Sequence, residues 1–421
     1  MIYGEAVSPK TVEPRVNPFT RQWTWILLAA AITSLVVKFL LAWNTLGTND
    51  MLQWQFSAEK ARQVSAIRLY SEEVKQSYLG QARPPTVFNH PPFTVYLLRL
   101  ILQLSESLRI PFPAMFRLII SLADFGCFLF TWSLIKHYWK LGERRNPREA
   151  RLPLLMLAIC PINIMVAGFH ANTDPLMVLF LLAAVWSLEV RHSALLCGCC
   201  IGMAMNIKII PLLLLPVLLF YMKHWSERAS CLTAALITVL LPSLPCLLDD
   251  PLALVGNVLA YNSMSGLWGI SAILKHLHLP GLLTFTHYGK FGVAAALVLM
   301  GYLANRLQPK PRLFDQLGAS LLLFMFLAPG FGVQYLYWLT AWVVILGTRA
   351  TLLLYATSGT FAFVLYNYWA HGLPWWFADY LDWGGWMHIP QLASWVSLGI
   401  LVVWFWWSFL FPLDKNHAEP T

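Results

Sequence analysis

Six short polar runs interrupt an otherwise apolar chain, and each holds a side chain able to do chemistry. Thr48-Asn49-Asp50 puts a carboxylate directly after a long apolar stretch. An aspartate there either caps the helix that begins at Met51 or, partly desolvated, takes a proton from a hydroxyl; from the local sequence alone, capping is the commoner use. Asn89-His90-Pro91-Pro92-Phe93 is either a stiff start to the next helix or a place where His90 touches a phosphate or a sugar. His170-Ala171-Asn172-Thr173-Asp174 gathers four hydrogen-bonding side chains in five residues. They make either a turn with Asp174 capping the following helix or a surface for a hydroxyl-rich ligand. Arg117 and Asp124, seven residues apart on one helical face, are costly in lipid, so they belong either to a structural polar network or, for Arg117, to an anionic headgroup. Lys208 lies within the apolar run 194–222, where a charge is a functional candidate with phosphate as its natural partner. Gln334, Tyr335 and Trp338 are either interfacial anchors or part of the same outer surface.

The elements that must position these residues are membrane helices. The chain has 421 residues, of which 58% are hydrophobic and 12% charged, about half the charged fraction of an ordinary soluble domain. Apolar runs of about 20 residues recur from Trp25 to Phe411, each long enough to cross a hydrocarbon core. The expected fold is all-α, a polytopic bundle of about 10–12 crossings. A net charge of +9 sits in the links between apolar runs, so it reports topology and not nucleic acid. With Lys10, Arg15 and Arg21 ahead of the first helix, residues 1–21 read as a cytoplasmic tail and 45–92 as an extracytoplasmic loop. In that loop Val64, Ile67, Tyr70 and Val74 recur at helical spacing, predicting an amphipathic helix on the outer face. Residues 93–104 read as an interfacial or re-entrant piece, because a full crossing would put the basic loop 137–151, with Arg144 and Arg145, on the wrong side. The run 194–222 is too long for one helix and too short for two; Lys208 and Pro211 at its centre predict a broken hairpin dipping into the membrane. Tyr261-Asn262 opens a second polar outer run, and Trp375, Trp376, Trp383 and Trp386 suit a headgroup-level loop. The seven cysteines fall in apolar runs and read as packing residues. No P-loop, dinucleotide fingerprint, HExxH or Cys/His cluster occurs, which argues against ATP-driven transport, nicotinamide chemistry and metallopeptidase activity.

Taken in order, several of these pieces resemble the GT-C superfamily of integral-membrane glycosyltransferases, in particular the polyprenyl- or dolichyl-phosphate-mannose-dependent mannosyltransferases. The matching pieces are Asp50 after the first helix, Leu69-Tyr70 ahead of Pro91-Pro92, Arg117 with Asp124, and Pro161-Ile162-Asn163 leading to Asn172-Thr173-Asp174. Asn206-Ile207-Lys208-Ile209-Ile210-Pro211 and Gln334-Tyr335-Leu336-Tyr337-Trp338 follow. The resemblance implies a conserved module over 22–250, with a catalytic outer loop at 45–92, a variable helical region over 251–411 and a short tail at 412–421. It also implies a laterally open site on the extracytoplasmic side of, by expectation, a bacterial inner membrane. There Asp50 would be the general base for inverting transfer of a monosaccharide, with mannose expected, from a polyprenyl-phosphate donor to a lipid or glycan acceptor. Substrate contacts fall to His90, Arg117, His170, Asn172, Asp174, Lys208, Gln334 and Tyr335, with membrane lipids as surroundings and no nucleic acid partner. Asp50 is flanked by Asn49 and Met51, where several branches carry an acidic pair, so neither a metal nor another cofactor is expected. His90 stands where relatives often have tyrosine. The alternatives from other classes are a flippase of lipid-linked sugars and a non-catalytic scaffold; a transporter favours internal symmetry, and the chain has no repeat.

Overall fold

In hydrocarbon a backbone must satisfy its own hydrogen bonds, and for an apolar run of some 20 residues that means a helix. The computed structural model of the chain is built accordingly and describes residues 19–78, 81–141, 147–259, 263–379 and 388–411. Residues 1–18 of the expected N-terminal tail, the tail 412–421 and the residues Lys10, Arg15, Arg144, Arg145, Tyr261, Asn262, Trp383 and Trp386 lie outside the described residues, whereas Arg21, expected in the tail, already opens the first helix. Among those described, six helices are long and apolar enough to cross a membrane, and three shorter apolar ones accompany them.

The first, α1 (Arg21–Asn44), is followed by the two-residue strand β1 (Gly47–Thr48) and by α2 (Asn49–Val64). The helix of this loop lies ahead of the predicted one, over Asn49–Val64: Ser65, at φ 86, ends it before Ile67, Tyr70 and Val74 are reached. Tyr70 then sits in a 3-10 turn, and Val74 in β2 (Glu73–Tyr78), paired antiparallel with β3 (Gln81–Val87). Tyr70 and Val74 are nonetheless buried; the apolar spacing marked which residues face inward and not the geometry that turns them there. Next, α3 (Pro92–Leu108) is a single unbroken helix, without the reversal a re-entrant element needs.

A helix of 29 residues, α4 (Phe112–Lys140), passes through the centre. Arg117 on it is not at a ligand surface. Its Nε donates to the Pro113 carbonyl (2.9 Å), Nη1 to Thr45 Oγ1 (2.6 Å) and the Gly168 carbonyl (3.5 Å), and Nη2 to the carbonyls of Ala42 (2.8 Å) and Thr45. The last carbonyls of a helix lack intrahelical donors and carry its negative dipole end, so a guanidinium at the end of α1 is spent on backbone. Asp124, two turns further on, accepts from Lys38, from Asn163 (2.8 Å) and from Tyr337 (2.7 Å), a closed structural network.

From α5 (Pro147–Ala158) the chain continues through Pro161–Asn163 into a π-helical stretch, Ile164–His170. Then come α6 (Asp174–Glu189), α7 (Ala194–Ile207), a 3-10 turn at Ile210–Leu214 and α8 (Leu215–Tyr221). The broken hairpin is as predicted. Its first arm starts beside the end of α6, where Ser193 N–H meets the Ser187 carbonyl (2.9 Å). Lys208, in extended backbone, meets Asp174 at the start of α6, and Tyr221 returns to Glu189 at its end (3.0 Å). The remaining helices are α9 (Trp225–Asp249), α10 (Pro251–Leu259), α11 (Gly269–His276), α12 (Leu282–Ala304), α13 (Leu313–Leu327), α14 (Thr348–Trp369) and α15 (His388–Leu410), with short helical turns between Val333 and Leu346.

Removing the Arg117 guanidinium strands buried carbonyls on two segments, a loss on the order of 3 kcal/mol. Arg117→Met should therefore lower the thermal unfolding midpoint of the detergent-solubilised protein by several degrees, and Arg117→Lys by less. An unchanged midpoint for Arg117→Met means that these bonds do not hold the fold.

Candidate active site

Asp50 owes its position to the way the chain leaves α1. Gly47 adopts φ 96, and a Cβ there would lie 2.8 Å from the Phe169 carbonyl oxygen, so only glycine lets this segment lie against the π-helical stretch. Strand β1 pairs in parallel with β4 (Phe377–Ala378), and Thr48 Oγ1 donates to the His170 carbonyl (2.8 Å). Thr48, not Asp50, takes the N-cap position of α2; Asp50 is in the first turn, where the helix dipole favours a carboxylate.

That carboxylate is held from one side. Asp50 Oδ2 accepts from Asn172 Nδ2 (2.6 Å) and lies 3.0 Å from His170 Nε2. The Asn172 oxygen is engaged by the Thr173 N–H (2.7 Å), which fixes the amide with its NH2 toward Asp50. His170 is buried and its Nδ1 lies 2.8 Å from the Tyr366 hydroxyl on α14. A nitrogen facing a carboxylate must donate, so Nε2 carries a proton, and in the tautomer with Nδ1 bare that nitrogen accepts from Tyr366. The result is a line of hydrogen bonds from Tyr366 through His170 to Asp50. His170 and Asn172 are thus partners of the carboxylate. Tyr366 went unread in the sequence, because one tyrosine in an apolar helix carries no local signal.

Lys208 stands at the apex of the broken hairpin. Its Nζ donates to Asp174 Oδ1 (2.7 Å) and lies over the rings of Tyr335 (5.1 Å) and Trp338 (5.7 Å), which are stacked on each other. The Trp338 indole N–H donates to the same oxygen. Asp174 is fully buried behind this lysine and does not line the cavity, which corrects its expected role: it is the counter-ion of Lys208 and not a ligand of substrate. Arg117 is corrected likewise, its donors being spent on backbone carbonyls.

His90 packs on Trp54 (ring centroids 4.6 Å apart), and its Nδ1 lies 3.3 Å from the Ile207 carbonyl. Burial pushes the His90 pKa down, assisted by the charge of Lys208, to about 3. The ring is neutral at physiological pH, with its proton on Nδ1 toward the carbonyl. Its Nε2 is then an acceptor, suited to a sugar hydroxyl and not to a phosphate.

These side chains meet in one cavity of about 620 Å³, within the range of small-molecule sites. Of the residues singled out in the sequence, Asp50, His90, His170, Asn172, Lys208, Gln334 and Tyr335 line it. Gln53, Asn89 and Lys290, not singled out, add polar groups, and Ile210, Leu213, Val293 and Ala294 form an apolar wall. Leu212 and Phe291 line the cavity and are also exposed on the outside, so the apolar wall runs on to the outer surface of the bundle. Asp50 is the one carboxylate among the described lining residues. A single carboxylate, a polar wall and an apolar wall suit proton abstraction from a hydroxyl beside an amphiphilic ligand.

Among known families, the model for glycosyltransferase family 87 matches residues 88–330, more than half of the chain. No curated protein matches the chain significantly. The matched stretch includes His90, His170, Asn172 and Lys208, whereas Asp50 and Tyr366 lie on either side of it.

Two variants probe the site. Tyr366→Phe removes the donor to His170 and should lower kcat for glycosyl transfer by on the order of tenfold with KM nearly unchanged; a variant with wild-type kcat excludes Tyr366 from positioning the carboxylate. Folded His90 takes up no proton until pH falls toward 3, whereas unfolded histidine does so near pH 6.5. This residue therefore costs stability as pH falls from about 6.5 but does not titrate in the folded site at working pH. His90→Gln should raise KM and leave the acidic limb of the pH–rate profile in place. A shifted limb would mean that His90 titrates during turnover.

Proposed function

The chain belongs to glycosyltransferase family 87, and on that premise we propose that it transfers a monosaccharide from a polyprenyl-phosphate donor to an acceptor hydroxyl, with Asp50 as general base. The observation that carries this reading is that Asp50 is the one carboxylate among the described residues lining the cavity. Retaining transfer through a glycosyl-enzyme needs a carboxylate nucleophile and a second carboxyl about 5 Å away; one carboxylate suits a single displacement with inversion. A lone base also leaves no carboxylic acid to protonate the leaving group, which fits a leaving group that needs no proton. A phosphate ester is such a group.

In this reading the acceptor hydroxyl lies against Asp50 and its oxygen attacks the anomeric carbon in line. The bond from that carbon to the phosphate oxygen breaks, the lipid phosphate departs as an anion, and Asp50 receives the hydroxyl proton. His170 and Asn172 hold one carboxylate oxygen, so that the group is aligned before reaction and needs no reorganisation. His90 and Gln334 offer hydrogen bonds to sugar hydroxyls, and the apolar wall favours a lipid-borne donor over a nucleotide sugar. The donor brings its own activation, so no cofactor enters the scheme. Mannose is the sugar we assign, on the resemblance to polyprenyl-phosphate-mannose-dependent enzymes, and the acceptor is a lipid or glycan hydroxyl.

The distribution of cations supports an extracytoplasmic site. Lys310 donates to the Tyr221 carbonyl (2.6 Å), Arg312 lies over the Tyr138 ring (4.6 Å) and Arg228 binds the Met222 carbonyl (2.9 Å). All gather around Glu189, at the end of α6 opposite Asp174 and the cavity. By the positive-inside rule that end is cytoplasmic. We assign the protein to a bacterial inner membrane on the expectation drawn from sequence. A flippase has no use for a carboxylate held by a histidine–tyrosine line.

Asp50→Asn keeps the size of the side chain and removes the base. Transfer from a radiolabelled polyprenyl-phosphate mannose should fall by about 10²–10⁴-fold, with the unfolding midpoint and donor binding retained. Residual activity near wild type would remove Asp50 from the role of base, and wild-type protein that uses only nucleotide sugars would overturn the lipid-phosphate donor.

A further inference from the structure

Helix α12 contains one Lys, Arg, Asp or Glu in its 23 residues, Lys290, set within an apolar segment long enough to cross a membrane. A charge at such depth is expensive toward lipid and marks a site or a water-filled cavity. The helix resolves the choice. Thr286, Lys290, Val293 and Ala294, at i, i+4, i+7 and i+8, all line the cavity, so one stripe of α12 forms its wall. Leu283, Tyr288 and Leu299 are exposed on the outer surface. The lysine therefore stands on the cavity stripe of the helix, itself exposed, while Thr284, His287 and Tyr288 add exposed polar groups elsewhere on the same turns.

The anions of this region are already engaged. Asp174 is the counter-ion of Lys208, and Asp50 is held by Asn172 and His170. No carboxylate among the described residues lies within ion-pair distance of Lys290, whose Nζ is 5.7 Å from the centroid of the Phe291 ring. Around it the wall is apolar: Val293, Ala294 and Phe291 on the same helix, and Leu212 and Leu213 on the 3-10 turn that packs against α12. A cation without a protein counter-ion at the head of an apolar wall that reaches the outer surface is complementary to an anionic headgroup on a long hydrocarbon chain.

We infer that Lys290 binds the phosphate of the lipid-linked donor, whose hydrocarbon chain leaves the cavity along Leu212, Leu213, Phe291 and Ala294. This deepens the transferase reading and rests on it for the identity of the donor. The assignment separates the two lysines of the cavity. Lys208, compensated by Asp174 and fixed over two rings, shapes the polar wall; Lys290 supplies the uncompensated charge that holds the phosphate and stabilises it as it departs.

The test uses the full-length protein in phosphatidylcholine nanodiscs, with binding read from the fluorescence of the cavity residues Trp54, Trp338 and Trp369. Two probes are titrated, a long-chain polyprenyl monophosphate and the same polyprenol without phosphate. Wild type should prefer the phosphate ester. Lys290→Gln should weaken that ligand by about tenfold, the value of one charge-assisted contact, and leave the polyprenol unchanged, while Lys290→Arg restores most of the loss. Equal affinities of Lys290→Gln and wild type for the phosphate ester overturn the assignment, as does an equal loss for both probes. Competition by phosphatidylglycerol nanodiscs or by inorganic phosphate at the affinity of the polyprenyl ester also overturns it, because the site would then be general for anionic lipid or free phosphate. The same titration on Asp50→Asn separates the two readings. If that variant still transfers sugar, the base assignment falls while the Lys290 result stands on binding alone.

Discussion

One guanidinium holds together the two strands of chain on which the site depends. Arg117 binds the carbonyls of Ala42 and Thr45 at the end of α1 and approaches the carbonyl of Gly168 in the π-helical stretch. Thr45 is five residues before Asp50 and Gly168 two before His170. The same arginine thus fixes both ends of the hydrogen bond between the carboxylate and its histidine, without touching either. A buried arginine in a membrane helix is tolerable only because carbonyls at a helix end and at a π-helical irregularity supply the acceptors that lipid lacks.

The other buried charges obey the same constraint in closed form. Lys38 meets Asp124, which Asn163 and Tyr337 complete, and Lys208 meets Asp174, which Trp338 completes. Each pair ties together segments distant in sequence; Asp174 engages Lys208 and Trp338 through Oδ1, while its Oδ2 is buried without a hydrogen-bond partner. What faces the cavity is a carboxylate held by a histidine and an asparagine, and a lysine with no carboxylate within ion-pair distance among the described residues.

That division explains which residues were legible in the sequence. The apolar runs, the exit of the chain at Asp50 and the hairpin broken at Lys208 follow from hydrocarbon thickness and from the cost of a charge within it, and both can be read along one dimension. Arg117 and Asp174 were misread as ligand contacts because an intramembrane charge has the same sequence signature whether its partner is backbone, a counter-ion or substrate; only three-dimensional pairing distinguishes these. The amphipathic pattern through Val74 identified buried residues, yet it could not register that Ser65 turns to a positive φ and ends the helix. Tyr366 is one of several polar residues of α14 and Lys290 one of several of α12; their meaning comes from the face they present, which depends on how distant helices pack.

The placement of the base also bears on how the chain divides. A boundary near residue 250 assigns catalysis to the N-terminal half and variation to the rest. Tyr366 nevertheless orients His170, β4 pairs with the strand just before Asp50, and Asn49 donates to Asp379 (2.8 Å). Trp338 anchors the Lys208–Asp174 pair and Lys290 lines the same cavity. Asp50 precedes the family match and Tyr366 follows it, so the hydrogen-bonded line between them closes a ring around the matched core. A short exit segment after α1 cannot hold a carboxylate to within a hydrogen bond by itself, being only two strand residues and the first turn of a helix. The C-terminal helices supply the missing restraint, and the geometry of the base is therefore a property of the whole bundle.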